Sequence, residues 1–172
     1  TENVAPVVTA QTISLSESTA LSTVVGNVSA SDANGDVLNY NITGGNSEGI
    51  FVIDTTTGAI ALKNVLNFEG TKKYTLTVSA SDESLSHSGT MTFNVTDAND
   101  NVPVFSNENS TSANVSLSSS IGTVITTLSA SDSDAGDTLT YTITSGNSSG
   151  AVTINSQTGQ ISTAKSFDSS AT

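Results

Sequence analysis

The feature that most constrains the fold is an internal repeat. The stretch VSASDANGDVLNYNITGGNSEGIFVIDTTTGAI, residues 28–60, returns as LSASDSDAGDTLTYTITSGNSSGAVTINSQTGQI, residues 128–161. The offset is 100 residues between Val28 and Leu128, and a one-residue insertion beside Asp134 makes it 101 afterwards. Two copies of one pattern are expected to form two copies of one module. We therefore predict domains at residues 1–100 and 101–172.

Apolar residues alternate with polar ones within each copy, which is typical of strands with one buried face. Tyr40 and Ile42 alternate in this way, as do Tyr141 and Ile143, and turns such as Thr57-Gly58 separate the runs. We find no amphipathic helical stretch. The predicted fold is all-β, with two seven-strand Greek-key β-sandwich modules in tandem.

The second copy is predicted to be truncated before its last two strands. Its end, SFDSSAT at 166–172, aligns with NFEGTKK at 67–73, after which the first copy continues through YTLTVSASD and TMTFNVTD. Either the remainder was lost, or another chain or segment supplies the strands. Neighbouring edge strands make such a donation physically possible.

The charge balance excludes several classes of function. The net charge is −12, with 16 Asp and Glu against 4 Lys and Arg, so nucleic acid or an anionic membrane surface would repel the chain. Cysteine is absent, which excludes disulfides and thiol chemistry. No apolar run is long enough to insert into a membrane. There is no signal peptide, and the chain begins and ends in mid-pattern, so we expect a piece of something longer.

An acidic linker, DANDNVP at 97–103, lies where the first copy ends and the second begins. Calcium takes six to eight oxygen ligands from carboxylates, Asn side chains and main-chain carbonyls, and this linker offers that mixture. Glu17 and the loop 67–69 are expected at the same end of the first copy, and Asp132 and Asp134 at the facing end of the second. Crowded carboxylates repel one another, so we expect all three sets to meet around divalent cations.

The sequence resembles tandem cadherin repeats. The resemblance covers nearly the whole chain and rests on the joint occurrence of five motifs, each weak alone. They are Asp97-Ala98-Asn99-Asp100-Asn101-Val102-Pro103, Asp132-Ser133-Asp134, Ala80-Ser81-Asp82, Phe51-Val52-Ile53-Asp54 with Thr57-Gly58-Ala59-Ile60, and Leu66-Asn67-Phe68-Glu69.

The resemblance implies up to three calcium ions between the copies. The outermost ion would be held by Glu17, Glu69 and Asp100, with Asn67 replacing the family's aspartate and weakening the site. The middle ion would be held by Glu17, Glu69, Asp97, Asp100, Asp134 and the carbonyl of Ala98. The third would be held by Asn99, Asp132, Asp134 and the carbonyls of Asn101 and Gly136.

The far ends of the two copies are poorer in ligands. One weaker ion is expected near the N-terminal end, at Asn3, Asp32, Asn34 and Asp82. The second copy has Ser119 where we align Glu17, so we expect no complete calcium cage at its lower end. Asp36 and Asp54 are interpreted as turn formers.

The predicted function is that of a calcium-stiffened extracellular spacer or adhesion module at a cell surface. Neighbouring repeats would be its partners. The Ser/Thr-rich, Cys-free composition favours the cadherin-like domains of large bacterial adhesins, such as those of biofilms. Cadherins that adhere by inserting an N-terminal tryptophan offer no precedent, because tryptophan is absent. The alternative is a module that contacts polysaccharide or a partner protein directly. No histidine and acid accompany a serine as a nucleophilic set, so we do not expect an enzyme.

Overall fold

The computed structural model describes residues 2–106 and 112–167, and it divides into two compact units. Unit 1 is Thr1–Ala98 and unit 2 is Asn99–Thr172. The division lies two residues before the predicted boundary, and the predicted domain bounds stay a prediction. The described residues contain strands and turns, so the all-β class is confirmed. None of them forms a helix long and apolar enough to cross a membrane.

Unit 1 contains nine strand segments. They are β1 Val7–Thr9, β2 Gln11–Ser16, β3 Val24–Asn27, β4 Ser29–Ser31, β5 Asn39–Gly44, β6 Phe51–Ile53, β7 Ala59–Leu62, β8 Lys73–Ser81 and β9 Ser86–Thr96. A single residue separates β1 from β2 and β3 from β4, where the chain passes from one sheet to another. Counting each of these pairs as one interrupted strand gives the seven strands that the sequence predicts.

The largest sheet of unit 1 has the order β2-β9-β8-β5, beside a three-stranded sheet β3-β7-β6 and the pair β1-β4. β2 runs parallel to β9, whereas β8 is antiparallel to both β9 and β5. The two longest strands, β8 and β9, therefore form the centre of this sheet.

The alternating residues of β8 and β9 build the core of unit 1. Leu76, Val78 and Ala80 of β8 are fully buried, as is Phe93 of β9. Phe93 stacks on Phe51 of the smaller sheet, with 4.6 Å between the ring centroids. Each buried side chain of this size stabilises the fold by about 1.5–3 kcal/mol, so the central hairpin supplies a large share of the core.

Unit 2 repeats the smaller sheets of unit 1. Its strands are β10 Val104–Phe105, β11 Val124–Thr127, β12 Ala130–Ser131, β13 Val152–Ile154 and β14 Gln160–Thr163. β10 pairs with β12 as β1 does with β4, and the order β11-β14-β13 reproduces β3-β7-β6. The described part of unit 2 has no counterpart of β8 or β9.

One predicted strand is not formed in unit 2. Tyr141 and Ile143 alternate like Tyr40 and Ile42, yet residues 140–144 have no strand structure. The corresponding strand of unit 1, β5, is paired on its edge with β8. A ladder needs a partner strand, and here that partner is missing from the described residues, so the strand prediction is wrong for this segment.

Candidate metal centre

Three carboxylates of unit 1 converge beside the end of β9. Because β2 and β9 are parallel and Ser16 pairs with Thr96, the next residues along each strand, Glu17 and Asp97, emerge side by side. Glu69 reaches them from the loop before β8, and one oxygen of each residue lies within 4.8 Å of the others. The parallel register thus turns two residues eighty positions apart into neighbours.

Glu17 is fixed in this cluster by main-chain donors. Its side chain is only 6% exposed. Oε1 accepts the N–H of Ala98 at 2.8 Å, and Oε2 accepts the N–H of Phe68 at 2.6 Å. These bonds tie the linker to the Glu69 loop through one carboxylate, and hydrogen bonds to an ionised group are roughly twice as strong as neutral ones.

Glu69 differs from Glu17 in its hydrogen bonding. Its Oε1 is enclosed by protein and accepts no hydrogen bond. An enclosed carboxylate oxygen that has lost water without gaining a donor is destabilising, and the adjoining carboxylates of Glu17 and Asp97 add repulsion. A bound cation would relieve both costs.

A second carboxylate cluster lies in unit 2, formed by Asp132, Asp134 and Asp137 with oxygens within 4.8 Å of one another. Asp132 follows β12, and its Oδ1 accepts the N–H of Asp134 at 3.0 Å. Gly136 adopts a positive φ of 91°, a conformation that glycine takes readily, and the turn brings Asp137 back towards the other two. Asp134 is only 5% exposed.

Two asparagines of the linker direct their amide groups at this second cluster. Asn101 donates from its main chain to Asp134 Oδ2 at 3.0 Å and from its side chain to Asp134 Oδ1 at 2.6 Å. The same side chain donates to Asp100 Oδ1 at 3.0 Å, and Asn99 donates to Asp137. Amide N–H groups thus face carboxylates whose charge a metal would balance.

Asp137 was missed by sequence reasoning. The signal was available, because Asp36 occupies the same place in the first copy and Asp36 was interpreted as a turn former. The structure places Asp36 in an equivalent acidic group with Asp32 and Asp82, again with oxygens within 4.8 Å. In both copies the acid that follows the turn glycine therefore joins the cluster.

The N-terminal group uses the predicted residues in different ways. Asn3 donates to Asp82 Oδ2 at 3.1 Å, and Asn34 Oδ1 accepts the N–H of Val4 at 2.9 Å. Asp32 Oδ2 is enclosed and accepts no hydrogen bond. Main-chain N–H groups of Leu85 and Ser84 lower the pKa of Asp82, because they stabilise its ionised form.

Two other sequence interpretations are changed by the structure. The Oδ1 of Asn67 accepts the N–H of Gly70 at 2.5 Å, so this side chain closes its own turn and lies outside the carboxylate group. The counterpart of Glu17 in unit 2 is Leu117 and not Ser119. A hydrogen bond of 2.8 Å joins the hydroxyls of Ser16 and Ser18, and an equal bond joins Ser116 and Ser118.

The chemistry of these clusters fits calcium. Each supplies carboxylate oxygens and no nitrogen or sulfur, which is the ligand preference of a hard cation such as Ca²⁺ and not of zinc or copper. The enclosed oxygens of Glu69 and Asp32 are the positions at which a cation would restore the lost interactions.

A family model described as the cadherin domain matches residues 11–96 and 111–172. Human protocadherin Fat 4 is 37% identical over 162 residues, covering 90% of this chain and 3% of that protein. Mouse cadherin EGF LAG seven-pass G-type receptor 1 is 39% identical over 108 residues, covering 62% of this chain and 4% of that protein. This chain therefore spans a very small part of these relatives.

Solved structures agree with the family model. The structure of human protocadherin-24 EC1-2 superposes with a TM-score of 0.83 at 28% identity, covering 98% of this chain and 83% of that one. Mouse cadherin-23 EC22-24 superposes with a TM-score of 0.85 at 26% identity, covering 97% and 56%. Both neighbours are tandem arrays, as the repeat predicts.

The relatives reported above are animal proteins, so the comparisons support the cadherin resemblance and do not support its bacterial part. Cadherin domains are adhesion modules and not enzymes, and cadherin homologues are extracellular or at the cell surface. Both findings confirm the corresponding predictions. The family model covers most of the sequence in two copies, and the chain belongs to the cadherin domain family.

Proposed function

We propose that this chain is a spacer and adhesion module of an extracellular protein, and that calcium bound around the Ala98–Asn99 peptide bond stiffens the joint between its two units. The observation that carries the proposal is the pair of acidic half-sites. Glu17, Glu69 and Asp97 lie together in unit 1, Asp132, Asp134 and Asp137 lie together in unit 2, and the linker connects them. Cadherin domains bind calcium at such linkers.

The half-sites divide the proposed ligands between the units. Unit 1 would supply Glu17, Glu69, Asp97 and the carbonyl of Ala98. Unit 2 would supply Asn99, Asp100, Asn101, Asp132, Asp134, Asp137 and the carbonyl of Gly136. Asn67 would contribute least, because its oxygen already accepts a hydrogen bond within its own loop. Three ions remain our proposal for this set, with a weaker one at Asn3, Asp32, Asn34, Asp36 and Asp82.

Calcium would act here by balancing charge and sharing oxygen ligands from both units. Without it, the two acidic ends of a chain with a net charge of −12 repel each other and the linker bends freely. For Asn99 to become a ligand, its amide must rotate so that the oxygen, rather than the nitrogen that now donates to Asp137, faces the ion. Such joints would extend an array of neighbouring repeats from a cell surface. The proposal needs no bacterial host.

The proposal is tested by calorimetric titration of the full chain with calcium. We expect binding with dissociation constants near 10⁻⁴–10⁻³ M, which is the range of extracellular modules. Glu69→Gln should weaken binding about tenfold or more. This variant is close in shape to the parent, and Glu69 Oε1 has no hydrogen bond for it to break.

The matched control is Glu48→Gln, at an exposed residue outside the acidic clusters of the described residues. It removes one negative charge from the same unit and should leave calcium binding unchanged. Equal affinities for the parent and both variants would overturn the assignment of the site, and absence of any calcium binding would overturn the proposed function.

A further inference from the structure

Two segments of unit 2 lack the strands that separate their counterparts in unit 1. In unit 1, β2 and β5 are the outer strands of the four-stranded sheet, with β9 and β8 between them. Residues 112–116 correspond to β2, and residues 140–144 correspond to β5. Neither segment forms a strand. The described part of unit 2 therefore has the two borders of this sheet without its centre.

The apolar face along this gap is open. Val8 of β1 is 6% exposed, whereas its counterpart Phe105 of β10 is 46% exposed. Phe105 and Tyr141 line a cleft of about 360 Å³. A second cleft of about 350 Å³ follows the adjoining segment from Ile143 to Ser148. Both clefts border the face where residues 140–144 would meet a neighbouring strand.

Unit 1 shows what covers the same face. Val8 donates its N–H to His87 Nδ1 of β9 at 3.0 Å. The side chain of Val8 also lies so close to Gly89 of β9 that a Cβ there would be 2.7 Å from Val8 Cγ1. The hairpin formed by β8 and β9 thus closes over the strand whose counterpart in unit 2 carries Phe105.

A glycine keeps the approach to this gap open in both units. Gly45 has a φ of 78°, and a Cβ there would lie only 1.9 Å from the carbonyl oxygen of Thr75 in β8. Its counterpart Gly146 has nearly the same φ, 80°, but has nothing within 4 Å. The backbone of unit 2 is therefore already shaped for a strand to pass beside Gly146, and that space is free.

We propose that unit 2 is an acceptor for a β-hairpin of a separate polypeptide, patterned like residues 73–96 of unit 1. One strand of the hairpin lies parallel to residues 112–116, and the other lies antiparallel to residues 140–144, as β9 and β8 do with β2 and β5. Its alternate side chains are apolar and cover Phe105 and Tyr141. The gap is two strands wide, so a hairpin fits it and a single strand does not. This inference is independent of calcium.

The test uses the full chain and a synthetic peptide of residues 73–96. Hydrogen exchange, followed by NMR, reports the main-chain amides of the two border segments. We expect the peptide to slow their exchange at least tenfold, because new ladder bonds protect them. A control peptide carries serine in place of Leu76, Val78, Met91 and Phe93. Equal effects of the two peptides, or protection confined to other surfaces, would overturn the proposal.

Two variants locate the binding. Gly146→Asn keeps a residue that tolerates positive φ but places a side chain where the strand must pass, and it should abolish the protection. Gly122→Asn is the matched control, because Gly122 also has a positive φ and its counterpart in unit 1, Ser22, carries a side chain in the completed fold. Binding that survives Gly146→Asn would contradict the proposed position.

A tethered version covers the case in which the free peptide associates with itself. Residues 73–96 are fused after residue 172 through a flexible Gly/Ser linker, which raises the effective concentration to the millimolar range. The fusion should protect the same amides, and a fusion of the serine-substituted hairpin should not. Failure of the tethered hairpin overturns the proposal. Protection of these segments by concentration-dependent self-association of the parent chain would also overturn it, since the occupant would then be a second copy.

Discussion

Units 1 and 2 share one sequence pattern but differ in what they bury. Fourteen hydrophobic side chains are buried in unit 1, and none is buried in the described part of unit 2, where Thr163 and Asp134 are the buried side chains. The local geometry is nevertheless the same. A Cβ on Gly58 would lie 3.1 Å from the Tyr40 ring, and a Cβ on Gly159 would lie 3.2 Å from the Tyr141 ring. Turns and small sheets thus follow from local sequence, whereas the core depends on the central hairpin.

The largest expected effect separates the two units by their aromatic residues. Phe93→Ala removes a fully buried ring that stacks on Phe51, and it should lower the free energy of unfolding of unit 1 by about 3–5 kcal/mol. Phe105→Ala removes a ring that is half exposed, and it should cost less than about 1 kcal/mol. Denaturant titration followed by NMR measures each unit separately. Equal costs would break the comparison.

Chelation of calcium is expected to have the next largest effect. When free calcium is a hundredfold above the dissociation constant, binding to the folded state adds about 2.7 kcal/mol to its stability. Adding excess chelator should therefore lower the free energy of unfolding of unit 1 by about 1–3 kcal/mol. In Glu69→Gln the same addition should have much less effect, and an undiminished effect would show that Glu69 is not a ligand.

Asp137→Asn should have a smaller effect, confined to the joint. Loss of one carboxylate charge from the cluster with Asp132 and Asp134 should weaken calcium binding there about tenfold, or about 1.4 kcal/mol. Asp36→Asn is the control, because it changes the equivalent position of the first copy and leaves the joint intact. Calcium titration followed by NMR of the linker amides distinguishes them. Equal weakening by both variants would argue against a separate site at the joint.

The smallest expected effect concerns pH. Hydrogen bonds from the main-chain N–H groups of Thr57 and Thr56 lower the pKa of Asp54. A lowered folded-state pKa adds stability above the unfolded pKa, and this stability is lost as pH falls below about 4 through the folded value. Asn155 of unit 2 accepts the same two kinds of bond without a charge.

Asp54→Asn should therefore make the turn of unit 1 independent of pH, as it is in unit 2. The acid midpoint of unit 1, measured by circular dichroism, should move slightly to lower pH, with little change in stability at neutral pH. A midpoint that does not move, or that moves to higher pH, would contradict the role assigned to this carboxylate.

The repeat and the alternating pattern were sufficient to predict the β-sandwich, including the inward face of Leu76, Val78 and Ala80. These signals are local in sequence, so they survive without knowledge of tertiary contacts. The segment 140–144 was predicted as a strand on the same pattern and does not form one, because strand structure depends on a partner that the pattern does not contain.

The candidate site shows a similar division. Glu17, Glu69 and Asp97 were grouped from sequence, and the parallel register of β2 and β9 explains why the first and last of these meet. Asp137 and Asp36 were not included, since only the turn at the preceding glycine brings them back to the cluster. Asn67 was given a metal-binding role, yet its oxygen serves its own loop. Side-chain oxygens that can form local turns are therefore the least predictable ligands.

Small-angle X-ray scattering of the full chain, with calcium and with chelator, tests most directly whether metal at the linker holds the two units in one arrangement. The account predicts a longer and stiffer particle in calcium, and a shorter mean maximum dimension with a broader distribution after chelation. Superimposable scattering curves in the two conditions, from a sample whose calcium binding has been verified by titration, would contradict it.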